Sequence, residues 1–398
     1  MIPDIRQQYN TQFTNEKYEA YINDLNNLYP GQLDFRIAET PIFISKDFTQ
    51  KMLCACDSII DVITQPEYQR QSEKAIPPHL RVPAEDAHPH CIAFDFGICQ
   101  DENGALEPQL IEMQGFPSLF AWQILQPEGH HKNLWWPEGF SPYLNGFTRD
   151  SYIELLRKII LADSAPENVV LLEILPHQQK TRVDFYATKT FLGIDIVCIT
   201  ELIVEGKDLF YVKDGKKTRI KRIYNRVIFD DLFQQSKEIQ EKGKIFQQEL
   251  NVTWVPHPNW FYRLSKFTLP FISHPNVPET YFLNEIKQLP SDLENYVVKP
   301  LFSFAGQGVI IDVTKEDIEK INDPENWIIQ KKVQYAAVID TPDEKAKAEI
   351  RLFYFWEPNA ARPVAANNLS RLSKGKMVGV RYNKDKEWVG GSFCLFEQ

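Results

Sequence analysis

The chain has 398 residues and a formal net charge of −10, with 43% hydrophobic and 25% charged residues. That length supports two or three units around a large core, and the acidic balance argues against a nucleic-acid or anionic-membrane partner while tolerating a cationic substrate such as a polyamine. No run approaches 18 apolar residues and the N-terminal MIPDIRQQYN lacks an apolar leader core, so a soluble, cytoplasmic protein is expected.

In chain order, the first 70 residues read as helical: NEKYEAYINDLNNL stops at Pro-Gly, and KDFTQKMLCACDSIIDVI follows a capping Ser45. Residues 77–90, PPHLRVPAEDAHPH, form a loop. CIAFDFGIC and ALEPQLIEMQG flank Asp-Glu-Asn-Gly and read as a hairpin. Residues 149–163 read as a helix. NVVLLEIL, KTRVDFYATKTFLG and IDIVCITEL then read as strand, helix and strand, which predicts two parallel neighbours. A hairpin turning at Asp214-Gly215 and a polar helix over 229–250 come next. The last third alternates strands with one short helix, which a capping box starts at Thr314. The class is α/β, of mixed α+β character.

The six cysteines, Cys54, Cys56, Cys91, Cys99, Cys198 and Cys394, contain no CxxC pair and sit among apolar neighbours, the pattern of buried reduced thiols. The eight histidines show no metal spacing, and His130-His131 reads as a surface pair.

Three features bear on chemistry. If Asn103-Gly104 is a two-residue turn, Asp95 falls opposite Glu112 and Ala93 opposite Gln114, on one face of the hairpin. Opposed carboxylates repel. A cation between them would relieve the repulsion, and Mg²⁺ with help from the Gln114 amide suits the site. The other reading is a different register, with one carboxylate solvated. Second, YVVKPLFSFAGQGVII carries Lys299 in an apolar strand before a small-residue loop. A buried ammonium needs an anion, and a nucleotide phosphate would serve, with loop N–H groups approaching it; a plain hairpin with a glycine turn fits equally well. Third, Lys266 follows Ser265 at a helical start and by itself reads as a surface lysine.

Taken in order, these pieces resemble the ATP-grasp superfamily, and more narrowly the synthetase domain of glutathionylspermidine synthases and related circularly permuted ligases. AFDFGICQDENGALEPQLIEMQG resembles the metal-binding hairpin, YNRV a Tyr-x-Arg segment, and SKFTLPFISHPNVPETYFL the segment with the first nucleotide lysine. YVVKPLFSFAGQGVII resembles the second lysine strand with its phosphate-covering loop, and WIIQKKV the hinge strand facing adenine. The hairpin precedes the lysines, the permuted order. The resemblance implies a circularly permuted ATP-grasp fold with a pre-ATP-grasp-like βαβ domain. The expected divisions are a mostly helical segment over 1–90, the metal hairpin and part of the core over 91–150, the βαβ domain over 151–250, and the nucleotide-binding subdomains over 251–398.

The resemblance further implies ATP and Mg²⁺ as cofactors. Lys266 and Lys299 would bind phosphates, and Ser303, Phe304, Ala305, Gly306, Gln307 and Gly308 would close over them. Gln330, Lys331, Lys332 and Val333 would line the adenine pocket, and Asp95, Glu112 and Gln114 would hold metal. The implied reaction is ligation of a small-molecule or peptide carboxylate to an amine through an acyl phosphate. Arg226 and Arg371 are candidates to grip the carboxylate, although each also reads as a surface or structural arginine. Two departures stand out. The family's Glu-x-Asn is Glu-x-Gln at 112–114, and its arginine two residues before the metal aspartate is Ala93, leaving Arg81, Arg351 or Arg371 to supply that charge. These departures keep open a second reading, a nucleotide-binding protein impaired in catalysis with an interaction or regulatory role.

Overall fold

The computed structural model describes residues 2–302, 308–375, 378, 383 and 385–398. Its largest sheet is antiparallel and five-stranded. The order is Gly390–Ser392, Val364–Ser373, Lys347–Phe355, Cys91–Gln100 and Leu106–Gln114. Nine of the ten residues of Cys91–Gln100 are buried, which is why this strand reads as a nearly continuous apolar run. The strand following the first hairpin is therefore 233 positions away in sequence: Lys347–Phe355 lies on the other side of Cys91–Gln100, with Arg351 directly opposite Asp95.

The hairpin itself differs from the two-residue turn. Residues 101–105 form a five-residue loop, closed by Asp101 N–H to Ala105 O at 2.9 Å, with Gly104 at φ +81°. This shifts the pairing beyond the turn by one, so that Gln100 faces Leu106. A bulge at Ile111 adds one residue to the second strand and restores the expected pairs, Asp95 with Glu112 and Ala93 with Gln114.

A four-stranded parallel sheet has the order Thr253–Val255, Arg222–Asn225, Val169–Glu173, Asp195–Cys198. Its last two strands flank the helix Arg182–Leu192, which ends at Gly193 in the left-handed region, φ +74°. This is the expected βαβ unit. The Asp214-Gly215 turn is present, with φ 49° and 75°. Its second strand stops at Ile220, and Arg222–Asn225 leaves for the parallel sheet.

A third sheet is antiparallel, in the order Thr280–Phe282, Trp327–Lys331, Tyr296–Pro300. One face packs on its own core of Leu283, Leu293, Val298, Val313 and Ile329. Val298 and Ile310 exchange backbone hydrogen bonds at 3.0 and 2.9 Å, an antiparallel bridge beside Lys299.

Three expectations change. The polar helix over 229–250 breaks into Phe229–Phe233, Lys237–Gly243 and a 3-10 turn, Lys244–Gln247. Ser236 caps a fresh start, and Gly243 sits so close to Leu232 that a Cβ would lie 2.3 Å from its Cδ2. His130 is 1% exposed and hydrogen-bonds Tyr9 Oη at 3.0 Å, so it is a core residue. Cys54 is exposed, while the other five cysteines are buried and unpaired. The helix Trp122–Asn133 has no local cap. Asp184 supplies one from another helix, its Oδ1 accepting from Ala121 and Trp122 N–H at 2.9 Å each. Among the described residues no helix is long and apolar enough to cross a membrane.

Candidate functional site

The five-stranded sheet places charged residues in two adjacent rows on one face. In the first, Glu112, Asp95 and Arg351 are direct neighbours across three strands; in the second, two residues along, stand Gly97, Glu349 and Arg371. Arg351 grips Asp95 with both arms, Nε to Oδ1 at 2.5 Å and Nη2 to Oδ2 at 2.5 Å. Arg371 Nη2 reaches the same Oδ2 at 3.0 Å and Glu349 Oε2 at 2.8 Å. Tyr335 Oη donates to Glu349. Its ring lies over Gly97, where an added Cβ would stand 2.9 Å from Tyr335 Cε1. Asp95 is 1% exposed, so these charge-assisted bonds are worth more than surface pairs.

Lys299, on the third sheet, donates to Gln330 Oε1 at 2.6 Å. Gln330 is fully buried, and its Nε2 donates to Thr280 Oγ1 at 3.0 Å, so its amide is fixed across the sheet. Burial pushes the Lys299 ammonium down to about 8; Lys266 adds to this, while Glu112 and Glu349 oppose it. Lys266 opens the 3-10 segment Lys266–Phe271, which Ser265 caps. Its ammonium is lowered mainly by burial, against Glu112 and Asp230. Glu112 thus feels both lysines, and Lys266 and Lys299 feel each other. Two elements that read as unrelated along the chain converge on one charged face.

Arg226 is 7% exposed, and its guanidinium lies 5.6 and 5.4 Å from the Phe116 and Phe185 rings. Its Nη1 donates to Ser118 O at 3.0 Å, and Arg351 Nη1 donates to Ser118 Oγ at 3.2 Å. Ser118 therefore links the two arginines. Near Arg226, Glu173 accepts from Ile174 N–H at 2.7 Å; burial pushes its carboxyl up to about 8, with Arg226 opposing. Arg81 instead pairs with Glu73 on the surface.

The remaining expected residues are placed as follows. Gln114 is half-buried opposite the buried Ala93, and Val333 is half-buried beyond the strand Trp327–Lys331. Lys331 is exposed on the face away from Gln330, and its N–H donates to Glu279 O at 2.9 Å. The Lys332 N–H donates to Asn295 O at 2.7 Å and its Nζ to Glu294 O at 2.6 Å. These two backbone donors are engaged within the protein. Gly308 has φ +72°. Ser303, Phe304, Ala305, Gly306 and Gln307 lie outside the described residues.

A magnesium ion does not fit this arrangement. It requires carboxylate oxygens open to it, and both oxygens of Asp95 accept from guanidinium groups. Glu112 Oε1 stands 3.7 Å from Arg351. Among the described residues no group of three or more His, Cys, Asp or Glu is arranged to hold a metal. The expected carboxylate pair is in register, with an arginine where a cation was expected. Ser118, Glu349, Tyr335 and Glu173 were not expected at all. They come from four separate stretches, and nothing local marks them.

No protein-family model and no curated protein matches the chain. A solved structure that is similar is the apo form of a glutathione synthetase-like effector (GSS30) from Globodera pallida, at 9% identity and a TM-score of 0.57. The match covers 95% of this chain and 96% of that one. At this identity the likeness concerns the fold: the chain has a mixed α/β, glutathione synthetase-like fold over nearly its whole length.

Proposed function

We propose that the chain is an ATP-grasp protein that binds a nucleoside triphosphate between the third sheet and the charged face of the five-stranded sheet, and uses it to join a carboxylate to an amine. The observation that carries this reading is the charged face itself: Arg351 and Arg371 stand on neighbouring strands of the five-stranded sheet beside Glu112 and Glu349, and Glu112 acts on both the buried Lys266 and the half-buried Lys299. Lys299 donates to a neutral amide, Gln330 Oε1, where an anion would serve it better, and a triphosphate is an anion whose charge and length suit several cations in a row. The glutathione synthetase-like fold supports the same reading.

In this scheme Lys266 and Lys299 hold the phosphates. Arg226, anchored by Ser118 and flanked by two rings, orients the substrate carboxylate. A carboxylate oxygen attacks the γ-phosphorus, the bond to the bridging oxygen breaks, and the nucleoside diphosphate leaves. The amine then attacks the acyl carbon, the bond to the phosphate oxygen breaks, and the amine gives up a proton to solvent. Arg351 and Arg371 are fixed charges beside the transferring group.

A second reading, nucleotide binding without turnover, is favoured by one observation: Asp95 is engaged by two arginines. The test has two stages. ATP should raise the melting temperature; no shift with ATP removes both readings. Release of ADP only when an acid and an amine are supplied together supports ligation, whereas ATP binding with no such release across a broad panel supports the second reading.

A further inference from the structure

We infer that Arg351 and Arg371 take the place of a divalent cation in this site, so that the chain binds its nucleoside triphosphate without metal. The inference rests on the nucleotide-binding reading above and concerns how the phosphate charge is neutralised.

The sheet itself enforces the substitution. Arg351 is the ladder partner of Asp95, so its guanidinium is delivered to the carboxylate by strand pairing and not by a mobile loop. Arg371 arrives from the next strand and is held by Glu349, which Tyr335 holds in turn. Two permanent unit charges stand where one doubly charged ion would otherwise sit. A metal would have to break a bidentate pair at 2.5 Å around a carboxylate that is 1% exposed, and would then meet two guanidinium groups. Arg371 Nε is buried and has no hydrogen-bond partner among the described residues. Ala93 fits the same picture. It is fully buried opposite Phe353 and Gln114, so the positive charge comes from the neighbouring strand instead.

The experiment is isothermal calorimetry of the full chain with ATP, once in EDTA and once in excess MgCl₂. The expected result is binding in EDTA at least as tight as in MgCl₂, because Mg²⁺ competes with the protein for the free nucleotide. Arg371→Met should weaken binding in EDTA by about tenfold or more, because its guanidinium supplies part of the positive charge that replaces the cation. The wild-type comparison needs no variant, so misfolding of Arg371→Met cannot obscure it. Binding that tightens about tenfold or more with Mg²⁺ overturns this inference and leaves the nucleotide reading standing. No binding of ATP in either medium overturns both.

Discussion

Arg351 and Asp95 face each other across adjacent strands and form a two-armed ion pair in which both oxygens of the carboxylate are bonded. The two residues lie 256 positions apart in the chain, and the pair joins the first hairpin of the sheet to its third strand.

Removing one member should be costly. Asp95→Ala leaves Arg351 without its buried partner, and a loss of about 3–5 kcal/mol is expected in urea unfolding. The double variant Asp95→Leu, Arg351→Met should recover most of that loss. Simple additivity of the two single changes would mean the pair is not coupled.

Lys299 should make ATP binding proton-linked. Its ammonium is held down to about 8, and a phosphate favours the protonated form. Binding at pH 8 should take up about half a proton per site, and the uptake should vanish well below that pH. Calorimetry in buffers of different ionisation enthalpy reads this directly. Uptake that persists in Lys299→Met would assign it to another group. The same shift acts on folding. The folded lysine loses its proton before the unfolded one, so between about 8 and the ordinary lysine value this group makes stability rise with pH.

Glu173 acts in the opposite sense. Its carboxyl is raised to about 8 by burial, so the folded state keeps a proton that the unfolded state has lost. From the usual glutamate range up to about 8 stability should fall as pH rises, and Glu173→Gln should remove that slope. The variant should match the wild type near pH 4 and exceed it by on the order of 4 kcal/mol at pH 8. Parallel wild-type and variant curves over this range would show that Glu173 titrates normally.

Gly97→Ala tests the seat of Tyr335. The new methyl would stand 2.9 Å from the ring edge and 3.1 Å from Ile111 Cδ1. Displacing the ring should cost about 1–3 kcal/mol in stability. It should also release Glu349, so Gly97→Ala and Tyr335→Phe, which deletes the hydroxyl that holds Glu349, should both weaken Arg371-dependent binding.

Much of the local architecture was legible along the chain. Ser45 and Thr314 cap their helices through their own side chains, and Gly193 ends its helix in the left-handed conformation. Asp214-Gly215 makes its turn, and the apolar run Val169–Glu173 is a buried parallel strand. Each of these depends on residues within a few positions of one another. The register of Asp95 with Glu112 was reached by a turn that differs in length and a bulge that compensates for it. The helix Trp122–Asn133 was not legible, because its cap, Asp184, belongs to another helix. Nor was the burial of His130, whose partner Tyr9 is 121 positions away.

The chain by itself determined where most strands and helices begin, which carboxylates share a hairpin face, and that Lys299 sits in an apolar strand, since propensity, capping and turn chemistry act over a few residues. Sheet order and the meeting of distant side chains were decided only in three dimensions. Which strand pairs with Cys91–Gln100 depends on the burial of whole faces, and that choice sets Arg351 against Asp95, brings Arg371 to Glu349, and gathers Lys266 and Lys299 over the same surface.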